Sequence, residues 1–130
     1  MGFDLTSESG ADFRFGGTGW TFYLNLAEAY GWKPAGTLPP AGITENAWSG
    51  QYDSNDGQRV TAADALALGG ALDRALADPE RPVKERELAH NISESLTQHL
   101  GEAVSIEPPD DDALLRAFGG FCRGGSFIIE

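Results

Sequence analysis

The chain opens with apolar and polar positions in alternation and then moves to helical spacing. Phe3 and Leu5 alternate with polar neighbours, Ser7-Glu8-Ser9-Gly10 offers turn residues, and Phe13 and Phe15 alternate again around Arg14. This period of two predicts a β-hairpin over residues 3–15. Gly16-Gly17-Thr18-Gly19 then predicts a tight turn, with Thr18 as the N-cap of a helix. In that helix Trp20, Tyr23, Leu24, Ala27 and Tyr30 form the expected core stripe, and Gly31 closes it.

The clearest helix start is Thr61. Thr61-Ala62-Ala63-Asp64 places a side-chain acceptor at the N-cap and a carboxylate three residues on, which satisfies orphan backbone N–H groups and complements the helix dipole. Ala65, Leu68, Leu72, Ala75 and Leu76 then recur at three- and four-residue spacings, Asp64, Asp73, Arg74 and Asp78 are expected off that stripe, and Pro79 stops the helix near Ala77. A further helix is predicted from Pro82 or Val83 to Leu100, with Leu88, Ile92, Leu96 and Leu100 four residues apart and Gly101 after its end. Ala103-Val104-Ser105-Ile106-Glu107 reads as a short strand broken by Pro108-Pro109. Asp110-Asp111-Asp112 opens the last helix, whose buried stripe is Leu114, Leu115, Phe118, Phe121 and Cys122. Gly119-Gly120 inside it costs about 2 kcal/mol relative to alanines, which implies close approach of another backbone or a bend. Gly124-Gly125 ends it, and residues 126–130 read as a strand able to join the N-terminal hairpin.

Between the helical segments, residues 31–50 hold Gly31, Pro34, Gly36, Pro39, Pro40, Gly42 and Gly50, so an ordered but irregular excursion is expected. Trp32 and Trp48 bracket it. Pinning the excursion to the core is the favoured role for both indoles; an aromatic platform shared with Tyr52 is the alternative. The loop from Trp48 to Gln58 continues through Val60 into the Thr61 helix. Asn55-Asp56-Gly57 is turn chemistry, with Gly57 supplying a positive φ. A structural turn is one reading. The other is a binding loop in which Trp48, Tyr52, Asn55, Asp56 and Gln58 contact a ligand or partner.

The composition narrows the function classes. At 130 residues with 41% hydrophobic content the chain fits one globular domain over residues 1–130. Nine Lys and Arg against 20 Asp and Glu leave a net charge of −11, which repels phosphate backbones and anionic membranes, so neither nucleic acid nor membrane is expected as a partner. A basic protein would be attracted, although such a charge also serves solubility alone. The first residues lack the layout of a signal peptide, and the lone Cys122 permits no internal disulfide, so a cytoplasmic location is expected.

Several chemistries are disfavoured. With Gly57 at the sixth position of a calcium loop, the first, third and fifth positions fall on Tyr52, Ser54 and Asp56, and the twelfth on Ala63 instead of Glu. The glycine turn at residues 16–19 lacks the Lys-Ser/Thr pair of a phosphate loop. His90 and His99, about two and a half helical turns apart, face opposite ways and do not make a zinc pair. Cys122 sits on an apolar stripe near a helix C-terminus, where the dipole opposes a thiolate, so a core role is expected in place of a nucleophile. No catalytic residue, metal or cofactor is assigned.

Tyr52-x-x-Asn55-Asp56-Gly57-Gln58-x-Val60 and Phe121-Cys122-Arg123-x-Gly125 give the chain a resemblance to small, acidic, uncharacterised bacterial proteins. The resemblance extends over about half of the sequence and implies no activity. The expected fold is α+β, with about four helices packed on a small antiparallel sheet made from the N-terminal hairpin and the C-terminal strand. The expected function is a non-catalytic, immunity- or adaptor-like interaction domain that engages a basic partner. The alternative is a small-molecule binder or enzyme with a pocket between residues 31–58 and the helix that follows, where Trp48, Tyr52, Asp56, Gln58 and Arg123 converge.

Overall fold

The structure, a computed structural model, describes residues 2–101 and 112–130. The expected strand at Ala103–Glu107, its Pro108-Pro109 break, and Asp110 and Asp111 lie outside the described residues. So do the side chains of Thr18, Leu96, His99 and Leu100.

The hairpin forms as the alternation predicts. Strand β1 (Gly2–Ser7) pairs antiparallel with β2 (Asp12–Gly16), with Phe3 opposite Phe15 and Leu5 opposite Phe13. Between them Gly10 takes φ +87°, a conformation that favours glycine. The C-terminal strand β4 (Phe127–Ile129) pairs with β1. A strand at residues 58–60 was not expected. Gln58–Val60, read as loop, forms β3 and pairs antiparallel with β4, so the sheet order is β2-β1-β4-β3. Three residues are too few to display a period of two, and the partner strand lies far away in sequence. Leu38 covers the outer edge of β3 by exchanging two backbone hydrogen bonds with Arg59 (2.8 and 3.1 Å).

One face of the sheet is apolar and the other is wet. Phe3, Leu5, Phe15, Val60, Phe127 and Ile129 point inward, while Asp4, Arg14 and Arg59 are exposed. Among the described residues four α-helices complete the fold: α1 (Gly17–Ala29), α2 (Ala62–Ala77), α3 (Arg81–Leu100) and α4 (Asp112–Cys122). The chain is therefore an α+β fold.

Helix α1 departs from expectation in two ways. It begins at Gly17 with Gly16 as N-cap and no side-chain cap, because β2 runs directly into it; Thr18 is inside the helix. Its buried arc is also wider than one stripe. Trp20, Phe22, Tyr23, Leu26 and Ala27 are buried while Leu24 and Tyr30 are half-buried, since α1 packs on β2, α2 and α3 together. At its end Trp32 N–H bonds Ala27 O and Gly31 N–H bonds Glu28 O, with Gly31 at φ +99°. This Schellman arrangement satisfies the last carbonyls and turns the chain into the excursion.

Gly119-Gly120 led to an expectation of close backbone approach or a bend, but a Cβ on either would meet its neighbours only at 3.7–3.9 Å; the close approach of α4 and α2 falls at Gly69. A Cβ on Gly69 would lie 3.3 Å from both Gly119 O and Cys122 Cβ. Gly69 lets the two helices pack nearer than a side chain there would allow. Where α2, α3 and α4 meet, the buried Arg81 donates to Glu85 Oε1 (2.5 Å) and pairs with Asp112. Charges buried this way need partners on both sides, which ties the helix ends together.

Candidate functional site

The site grows from the first turn of α2. Thr61 Oγ1 accepts the Asp64 N–H at 3.2 Å, as the capping pattern predicts. The Asp64 carboxylate, expected off the buried face, is only 3% exposed and points into the excursion. Its Oδ1 accepts from Trp32 Nε1 (3.0 Å) and the Ala35 N–H (3.4 Å), and its Oδ2 accepts from the Tyr52 hydroxyl (2.5 Å). The Tyr52 oxygen in turn accepts the Gly36 N–H at 2.9 Å. Burial pushes the Tyr52 hydroxyl pKa up, and the hydrogen bond to Asp64 and its negative charge push further, so the phenol stays a donor. One residue thereby gathers three points of the excursion.

A second anchor, Gln58, is fully buried. Its Nε2 donates to Ser54 O (2.5 Å) and Gln51 O (3.3 Å), and its Oε1 accepts the Asp56 N–H (2.9 Å). Asn55 Nδ2 donates to Gly2 O (3.2 Å), which fastens the loop to β1. Gly57 has φ +89°, the positive value expected of it, and its N–H reaches Ile129 O (2.8 Å). Trp48 is half-buried and donates to Thr37 Oγ1 at 3.0 Å, whereas Trp32 is buried. Trp20 Nε1, from the core, donates to Tyr52 O at 2.7 Å.

Of the five residues singled out from sequence, then, Tyr52, Asn55 and Gln58 direct polar groups inward, Asp56 is exposed, and Trp48 is half-exposed. Only Tyr52 lines the adjoining cleft of about 290 Å³. That cleft lies against α1, the helix before the excursion, because the side toward α2 is filled by the Asp64 network. Helix α1 contributes Thr21, Leu24, Asn25 and Glu28. The excursion contributes Trp32 and Pro34 from one arm and Gln51, Tyr52 and Asp53 from the other. Arg123 is not brought here: its Nη1 lies 2.7 Å from both carboxylate oxygens of Asp73, on the α2–α4 surface.

Cys122 is fully buried, and burial pushes its thiol well up despite the neighbouring Arg123. A neutral thiol there packs; it does not attack. Among the described residues no group of three His, Cys, Asp or Glu side chains is placed to hold a metal ion. No helix of the described residues is long and apolar enough to cross a membrane. Asp64 and the α1 wall of the cleft escaped the sequence reading. The signal that could have found Asp64 is chemical: Trp32 and Tyr52 each carry a polar handle that needs an acceptor when buried.

No protein-family model matches the chain, and comparison with curated proteins and with solved structures found no match either.

Proposed function

We propose that this chain is a non-catalytic protein-interaction domain, immunity- or adaptor-like, that engages a basic partner through its acidic surface. The observation that carries the reading is the charge at the cleft. Its lining includes two exposed carboxylates, Glu28 and Asp53, and neither Lys nor Arg. Three exposed cations are ion-paired, Arg14 with Asp4 (3.4 Å), Lys84 with Asp78 (2.9 Å) and Arg123 with Asp73 (2.7 Å), while Lys33, Arg59, Arg74, Arg86 and Arg116 are exposed outside the cleft lining. Uncompensated negative charge on a chain of net charge −11 attracts a cationic partner and speeds its encounter. The inert, buried Cys122 and the inward-tied Tyr52 and Gln58 also favour binding over chemistry by these groups.

The test is affinity purification of the tagged protein from its own cells at low and at high salt, with mass spectrometry of what is retained. A basic protein held at low salt and released at high salt is the expected outcome, because exposed charge is screened over about 8–10 Å at ordinary ionic strength. Elution of the protein alone under both conditions would defeat the reading and turn attention to a small ligand in the same cleft.

A further inference from the structure

We infer that the cleft between α1 and the excursion receives an arginine side chain of the basic partner, an assignment that rests on the interaction reading above. Charge is the first argument. Glu28 on one wall and Asp53 on the other are both exposed, and neither is in an ion pair among the described residues. A cation between them meets carboxylates from two sides without displacing an internal partner.

The second argument is the chemistry of the walls. Trp32 and Tyr52 have their polar atoms tied inward to Asp64, so they offer ring carbon to the cleft, beside Leu24 and Pro34. A flat, weakly hydrated guanidinium suits carbon walls with carboxylates at the rim, whereas a compact ammonium holds its water more strongly. Asn25 adds a side-chain oxygen on the α1 wall, since its Nδ2 is already directed to Thr21 O (2.9 Å).

Size and rigidity agree with this occupant. About 290 Å³ admits one long side chain and excludes a whole helix. The aromatic wall is held before binding by the Asp64 bonds and by Trp20 on Tyr52 O, so little ordering accompanies association.

The experiment is an NMR titration of the full 15N-labelled chain with N-acetyl-arginine methylamide, repeated with the lysine counterpart and with the double variant E28Q/D53N. Both substituted side chains are exposed, so the variant should fold, and its melting temperature is checked first. Saturable shifts confined to amides around Asn25, Glu28 and residues 51–53 are expected. Affinity should fall at least tenfold in the variant and be several-fold weaker for the lysine probe. Equal binding by the variant, equal binding of lysine, or shifts spread evenly over the surface would overturn the assignment. The salt-dependent capture separates the two claims. A captured basic protein that E28Q/D53N retains fully would sink the cleft and leave the interaction reading standing. Absence of any salt-sensitive partner would remove that reading, and with it the partner named here.

Discussion

Around Phe118, the rings of Phe13, Phe15, Trp20 and Tyr23 lie with centroids 4.8–6.0 Å from its own, whereas the excursion over residues 31–58 converges on the single carboxylate of Asp64. In the first region elements are held by burial, which is non-directional and asks mainly for apolar volume of the right shape. In the second, backbone without regular structure is held by side-chain acceptors at fixed positions, which ask for particular atoms. The cleft lies where the two meet: α1 belongs to the core and supplies one wall, and the excursion supplies the other.

Four outcomes break or sharpen this contrast. Phe118→Ala should lose about 3–5 kcal/mol in urea unfolding, while Leu72→Met, which keeps volume, should lose less than about 1.5 kcal/mol. Similar losses from both would mean that this core is not volume-limited. Asp64→Ala should lose about 2–4 kcal/mol, because donors on Trp32, Ala35 and Tyr52 lose a common acceptor. Its signature is local: amide exchange at Ala35 and Gly36 should quicken before that of α2 or α4 changes. Uniform quickening would argue that the excursion and core open together.

Gly57→Val comes next, with a loss of more than about 1 kcal/mol expected from forcing a branched residue to positive φ. The added Cβ would sit an ordinary 3.7 Å from Pro40 Cβ, so the penalty is conformational and not a clash. An unchanged melting temperature would contradict the backbone assigned there. The smallest effect is in pH. The folded-state pKa of Tyr52 is raised above its ordinary 10.0 by burial and by Asp64, so the folded state favours the protonated phenol. Its contribution is fully present below pH 10 and declines as pH rises beyond it. Wild type should therefore exceed Tyr52→Phe by about 1 kcal/mol at neutral pH, and the gap should close in alkali. A constant gap across that range would remove the Tyr52–Asp64 bond as its source.

The same contrast explains what could be read in advance. The N-terminal hairpin, the Thr61 cap, the end of α2 before Pro79 and the stripe of α4, buried at Leu115, Phe118, Phe121 and Cys122 but only half-buried at Leu114, follow from local rules, in which each residue's neighbours in sequence are its neighbours in space. The N-terminus of α1 was misplaced because Thr18 offers a capping side chain within the glycine-rich run, whereas the helix starts two residues earlier with Gly16 as N-cap, and its Phe22 and Leu26 were missed because several neighbouring elements bury it. Strand β3 was missed because its pairing with β4 spans most of the chain.

For the site, the loop itself was legible and its wiring was not. Turn chemistry at Asn55-Asp56-Gly57 and the positive φ of Gly57 were contained in the residue types. That Gln58 is fully buried, that Asp64 turns away from its helix to serve Trp32 and Tyr52, and that the concavity opens against α1 were not. By itself, the sequence determined the helices, the hairpin, the turn at Gly57 and a net charge of −11, because periodicity, capping and ionisation are properties of short segments or of sums. Tertiary structure alone decided which carboxylate is buried as an anchor and which two stand exposed across a cleft, because those roles depend on distances between residues that no local pattern relates.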